Sequence, residues 1–95
     1  MRVFEIDQDM DHAGVAAMKR VFDALAQSPE DVCLDLAQVR FLDSAGVGLM
    51  VSLAEALRRR SLDTRVVHAS GQPLRLMRQS LLDAGSAAEG TPRSS

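Results

Sequence analysis

The apolar positions of the chain fall into short clusters that alternate with longer runs of helical spacing. A cluster at residues 3–6 predicts a first strand, and Asp11 is placed to cap the helix that follows. The apolar face of that helix repeats at intervals of three and four residues, through Val15, Met18, Phe22 and Leu25. Turn-forming residues at positions 28–31 then end the run. The pattern therefore predicts a strand followed by an amphipathic helix.

The same alternation continues to the end of the apolar sequence. Residues 32–36 predict a buried strand, and an apolar helix follows over residues 45–57, before three consecutive arginines. Residues 64–69 predict a third strand, and residues 70–73 begin a last helix. Strands that alternate with helices indicate an α/β fold with a mainly parallel sheet.

The length and the charge of the chain limit its function. A chain of 95 residues supports one domain, predicted over residues 1–85, with Gly85 ending the last helix and a disordered polar tail at residues 86–95. The net charge of -2, with no Trp or Tyr, gives neither the basic excess nor the stacking surface of a nucleic-acid binder. A protein partner is therefore expected.

The compartment follows from cysteine content and hydropathy. Cys33 is the only cysteine, which excludes an intrachain disulfide and fits a reducing compartment. The start of the chain lacks the apolar core of a signal peptide, and the longest apolar stretch, residues 45–53, is too short to span a bilayer. We expect a cytoplasmic location and no direct membrane insertion.

The turn before the second helix carries the most informative chemistry. Asp43 and Ser44 lie where the strand pattern gives way to the helix, and Ser44 is predicted at the helix N-terminus. Backbone N–H groups there lack intrahelical partners, so a side chain can cap them and a phosphate finds donors. A plain capping role for Ser44 is the alternative. The turn at residues 9–11 follows the first strand on the same sheet edge, so Asp11 and Ser44 are predicted to share one surface.

Three other site types have weak support in the sequence. A serine hydrolase would need a Gly-x-Ser-x-Gly turn and a partner base, but the only histidines, His12 and His68, lie in no hydrolase motif. The alternating acids at residues 7–11 lack the glycine and the final glutamate of a calcium loop. Gly46 and Gly48 lack the Gly-Lys-Ser/Thr of a phosphate loop and are expected to allow close backbone approach. We therefore predict no enzyme activity, no metal and no cofactor.

Two segments together resemble a known family. Leu34-Asp35-Leu36, followed by Phe41-Leu42-Asp43-Ser44-Ala45-Gly46-Val47-Gly48-Leu49, is similar to the strand, Asp-Ser-small-Gly turn and helix of the STAS domain, the fold of bacterial anti-sigma factor antagonists. The resemblance covers residues 3–85, and Asp11 and Pro73 add to it. Relative to that family, an N-terminal edge strand is expected to be missing, which would leave a sheet edge exposed or available for a homodimer.

The resemblance implies a switch between partners. An anti-sigma factor with a serine kinase fold would bind the unphosphorylated domain, release its sigma factor and then phosphorylate Ser44. The resemblance places Asp11, Asp43, Ala45 and Gly46 at the same partner surface, and it assigns ATP and magnesium to the kinase. The alternative is a STAS subunit of a phospholipid transport ABC system, docked on the transporter ATPase without phosphorylation. A scaffold in a stress-signalling complex and a regulator of secretion are further alternatives.

Overall fold

The computed structural model describes residues 1–80, and it confirms the predicted alternation of strands and helices. The elements in chain order are β1 (Arg2–Glu5), α1 (His12–Leu25), β2 (Val32–Asp35), α2 (Ser44–Arg58), β3 (Thr64–Val67) and α3 (Gly71–Ser80). The predicted helix end at Gly85 and the predicted tail at residues 86–95 lie outside the described residues.

Each strand ends earlier than the apolar pattern predicted, and β1, predicted over residues 3–6, spans Arg2–Glu5. β2 ends at Asp35 rather than at residue 36, and β3 ends at Val67 rather than at residue 69. His68 has a φ of 63°, in the left-handed region, which an extended strand cannot accommodate. The backbone therefore leaves the sheet earlier than the side-chain pattern indicates.

The three strands form one parallel sheet in the order β1-β2-β3. Phe4 lies beside Leu34, and Leu34 beside Val66, in the register of the two ladders. Each pair of neighbouring strands is connected through a helix, as parallel pairing requires. The carboxyl ends of all three strands consequently point to one edge of the sheet, and the loops that follow them emerge there.

The core lies between the sheet and the apolar faces of the helices. Leu34, at its centre, belongs to one cluster with Phe22 of α1, Met50 of α2 and Met77 of α3. The face predicted for α1 is largely correct, since Met18, Phe22 and Leu25 are buried and Val15 is partly buried. Burial of these side chains supplies most of the driving force for folding.

Helix α2 is covered over more of its circumference than α1. Its fully buried positions are Gly46, Val47, Met50, Leu53 and Leu57, and Leu49 and Val51 are partly buried. At the far end of α2, the Arg60 guanidinium donates a hydrogen bond of 2.9 Å to the carbonyl of Ala26, just beyond α1.

Within residues 1–80, no helix has the length and apolar character needed to cross a membrane.

Candidate functional site

The loops after β1 and β2 are joined at the carboxyl edge of the sheet. Met10 and Leu42 form an isolated parallel bridge, in which the Met10 N–H donates to the carbonyl of Phe41 over 2.9 Å. The Asp43 N–H donates to the carbonyl of Met10 over 3.2 Å. The turns at residues 9–11 and 43–44, predicted to share one surface, are therefore in direct contact.

Asp9 fixes the second loop from the side of the first. Its Oδ1 atom accepts hydrogen bonds from the N–H groups of Arg40, at 2.9 Å, and Phe41, at 3.2 Å. Sequence reasoning treated Asp9 only as one of three alternating acids. Its role depends on a residue more than 30 positions away, so no local pattern indicates it.

Two helices begin at this edge with the same local geometry. Asp11 Oδ1 accepts from the Gly14 N–H at 2.8 Å, and Asp43 Oδ1 accepts from the Gly46 N–H at 3.0 Å. The capping role predicted for Asp11 is confirmed. The alternative of Ser44 as a cap is wrong, because Asp43 has the extended backbone of the N-cap and Ser44 is the first residue of α2.

A short sequence repeat underlies this symmetry. Asp11-His12-Ala13-Gly14 and Asp43-Ser44-Ala45-Gly46 share the pattern Asp-x-Ala-Gly, with His12 in the position that Ser44 occupies in the second copy. Sequence reasoning missed this repeat, which spans only four residues in each copy. It is the signal that identifies Asp43 as the cap, and it leaves the hydroxyl of Ser44 free of that task.

The glycines of the second turn have different environments. A Cβ atom at Gly46 would lie 2.6 Å from Leu42 Cδ1 and 2.9 Å from Met10 Cβ, whereas nothing lies within 4 Å of one at Gly48. The expectation of close approach is therefore correct for Gly46, whereas the described residues place no neighbour beside Gly48, for which approach by a docking protein stays a prediction. Gly46 is buried under the joined loops, so within the domain it allows α2 to begin against Met10.

A third element reaches the same loop through Gln72, which sequence reasoning missed. The Gln72 side chain accepts from the Leu42 N–H at 2.9 Å and donates to the Leu42 carbonyl at 2.7 Å. The backbone of Leu42 is thus hydrogen-bonded to a side-chain amide in the way that it would be bonded to the backbone of a neighbouring strand. The start of α3 therefore holds the backbone two residues before Ser44.

The remaining predicted site residues lie at the surface of this edge. Ser44, Ala45 and Asp11 are exposed, and Asp43 is partly exposed. The carboxylates of Asp9, Asp11 and Asp43 each accept backbone N–H groups through an Oδ1 atom. We call the exposed residues Arg40, Phe41, Ser44 and Ala45, together with Asp11 and the partly exposed Asp43, the switch surface.

A shallow groove begins at Ala45 and runs between α1 and α2. It has a volume of about 330 Å³. On the α2 side it is lined largely by small side chains, namely Ala45, Gly48, Ser52 and Ala56. Phe22 lies on its α1 side, where Lys19 and Asp23 also form an exposed ion pair at 3.4 Å.

Asp35 and His68 lie at the ends of β2 and β3. Asp35 Oδ1 accepts from the Ala37 N–H at 2.9 Å and lies 3.2 Å from His68 Nδ1. The bond from Ala37 lowers the pKa of the Asp35 carboxyl below its usual value, and His68 adds to this lowering. The folded structure therefore favours the ionised form of Asp35, and this carboxylate stabilises the start of the loop after β2.

The fold is that of a small α/β domain with a parallel sheet. Its joined loops and the exposed Ser44 lie at the carboxyl edge of the sheet, where domains of this class commonly carry their functional residues. The sequence model of the STAS domain matches residues 1–87, and the chain belongs to this family. The resemblance drawn from the Asp-Ser-Ala-Gly turn is thus confirmed at the level of the family.

Solved structures agree with this fold. A candidate anti-sigma factor antagonist of Thermotoga maritima superposes with a TM-score of 0.76 at 19% identity, covering 90% of this chain and 77% of that chain. The anti-sigma factor antagonist SpoIIAA in its unphosphorylated form superposes with a TM-score of 0.68 at 21% identity, covering 95% and 79%. The search of curated proteins found no match.

Proposed function

We propose that this chain is an anti-sigma factor antagonist that switches partners through phosphorylation of Ser44. The observation that carries the proposal is the exposed position of Ser44 in the first turn of α2, on loops held by Asp9, Met10 and Gln72. A kinase needs such an accessible hydroxyl in a defined place. Two structures with the same fold, described as antagonists, are consistent with this role.

The physical basis of the switch is local charge. A phosphate on Ser44 adds about -1.5 to -2 charges at neutral pH, beside Asp43 and on the same edge as Asp11. In the free domain the helix N-terminus and water accommodate that charge. In a closed interface it would be desolvated and would repel nearby acids. A loss of ~3 kcal/mol there weakens binding by roughly a hundredfold.

The proposal assigns the chemistry to the partner. An anti-sigma factor with a serine kinase fold binds ATP and magnesium and transfers the phosphoryl group, whereas this chain acts as a binding protein and substrate. The switch surface, which includes Asp11, Asp43, Ser44 and Ala45, contacts the partner. Gly46 is buried beneath this surface and allows α2 to begin close to the joined loops. The setting is the cytoplasm, where the kinase has access to ATP.

The test is affinity capture from native cytoplasm with unphosphorylated protein, followed by addition of ATP and mass spectrometry of Ser44. We expect an anti-sigma factor kinase that modifies Ser44 and then dissociates. Ser44→Ala should bind and fail to release, and Ser44→Asp should bind more weakly. Ser52→Ala, which removes another exposed serine of α2, is the control and should behave as wild type. Capture of a transporter ATPase with Ser44 unmodified, or normal release of Ser44→Ala, would refute the proposal.

A further inference from the structure

Large apolar side chains are exposed at only two places in the described residues. Met1 and Val3 lie at the start of the chain, and Val3 is 62% exposed. Phe41 lies at the opposite, carboxyl edge of the sheet and is 45% exposed. It is three residues before Ser44, in the loop that carries the switch surface. A partly exposed aromatic ring is costly to keep in water, and at such a site it is a common anchor of an interface.

The backbone that carries Phe41 is unusually well fixed for a loop. Its N–H donates to Asp9 Oδ1 at 3.2 Å, and its carbonyl accepts from the Met10 N–H at 2.9 Å. The N–H and the carbonyl of the next residue, Leu42, are both hydrogen-bonded to the side-chain amide of Gln72. The Leu42 side chain is fully buried. Binding through Phe41 therefore requires little further ordering of the backbone, which is the main cost of using a loop as an anchor.

The charges around Phe41 indicate the chemistry of the partner. Asp9, Asp11 and Asp43 surround the joined loops, and Arg40 is the basic residue next to Phe41. Each of these carboxylates uses an Oδ1 atom for backbone N–H groups, but the net charge of the edge stays negative. An acidic surface with an apolar centre is complementary to a pocket that is apolar inside and basic at its rim.

We propose that Phe41 is the anchor residue of the switch surface, and that it inserts into an apolar pocket of a partner protein whose rim carries Lys or Arg side chains. The identity of that partner as the Ser44 kinase rests on the proposed function. The anchor itself rests on the exposure and fixed backbone of Phe41. Phosphorylation of Ser44 would then act beside the anchor, because Phe41 lies three residues before Ser44 and both belong to the switch surface.

The experiment uses p-benzoylphenylalanine as a photocrosslinking probe in place of Phe41 in the full chain, inside cells. The matched control carries the same probe in place of Val3, which is more exposed but lies on β1. Crosslinked peptides are identified by mass spectrometry. In a second step, the crosslinking is repeated in cell extract, where purified unlabelled wild type, Phe41→Ala, Phe41→Leu and Val3→Ala proteins compete for the crosslink. Thermal unfolding of each variant checks that it is folded.

We expect the probe at position 41 to crosslink one protein, at an apolar site flanked by Lys or Arg. Phe41→Ala should compete about 10- to 100-fold less well than wild type, Phe41→Leu should recover part of the loss, and Val3→Ala should compete normally. No crosslink above that of the Val3 control, or full competition by folded Phe41→Ala, would overturn the anchor. If the crosslinked protein does not phosphorylate Ser44, the proposed function fails and the anchor stands.

Discussion

Gly46 offers a sharp test of how closely α2 begins against the loop after β1. In Gly46→Ala, the new methyl group would lie 2.6 Å from Leu42 Cδ1, 2.9 Å from Met10 Cβ and 3.0 Å from the Met10 carbonyl oxygen. Both neighbours are completely buried, at 0% exposure. The Met10 backbone is also bonded to Phe41 and Asp43, so it cannot move without loosening the joined loops.

The expected change in the free energy of unfolding is the difference between a packing cost and a gain in helix propensity. Overpacking a tight site typically costs about 1–3 kcal/mol. Replacing a helical glycine by alanine returns up to ~1 kcal/mol, and less in the first turn of a helix. We therefore expect Gly46→Ala to lower the free energy of unfolding by about 1–2 kcal/mol. In a domain of this size that corresponds to a fall in Tm of about 5–15 °C.

The assay is urea unfolding followed by circular dichroism, with Gly48→Ala as the matched control. Gly48 lies in the same helix, and a Cβ atom there meets nothing within 4 Å. Only the higher helix propensity of alanine remains, so the free energy of unfolding of Gly48→Ala should exceed that of wild type by about 0.5–1 kcal/mol. If Gly46→Ala were as stable as Gly48→Ala, α2 would not begin against Met10, and the close approach described above would be wrong.

Two further predictions concern the residues that hold this edge. Gln72→Leu leaves the N–H and carbonyl of Leu42 without their side-chain partner, so it should lower the free energy of unfolding by about 1–3 kcal/mol and increase hydrogen exchange at the Leu42 amide. Asp35→Asn should destabilise the domain at neutral pH, because the folded state lowers the pKa of Asp35 and favours its carboxylate. That stabilisation is complete above the ordinary aspartate pKa and is lost as pH falls through the lower folded value, so the difference from wild type should shrink in acid.

Each of these two predictions has its own control. Gln72→Glu retains an acceptor for the Leu42 N–H but loses the donor to the carbonyl, so its stability should fall between those of wild type and Gln72→Leu. Unchanged exchange at Leu42 in Gln72→Leu would contradict the role of the amide. For Asp35, unfolding is measured in urea at several pH values, with Asp63→Asn as the comparison because Asp63 is an exposed aspartate immediately before β3. A difference from wild type that stays constant from neutral to acid pH would show that ionisation of Asp35 is irrelevant to stability.

Local patterns predicted most of the secondary structure but placed some ends too late. Residue 36 and residues 68–69 continue the apolar pattern beyond their strands, since side-chain character continues where the backbone has already turned. At Ser44 the sequence indicated a hydroxyl at a helix start, and the structure agrees. The alternative of Ser44 as the cap was wrong, because the Asp-x-Ala-Gly repeat and the extended backbone of Asp43 both identify Asp43 as the N-cap.

Local sequence was enough to predict the order of strands and helices, the parallel sheet, the N-cap at Asp11 and membership of the STAS family, because periodicity and short motifs are local properties of the chain. Tertiary structure decided the contacts that shape the switch surface. Asp9 and Gln72 bond to a loop about 30 residues away, Gly46 is packed against Met10, and Phe41 is left exposed beside Ser44. These features depend on which distant segments meet at the carboxyl edge of the sheet, and only the folded chain brings them together.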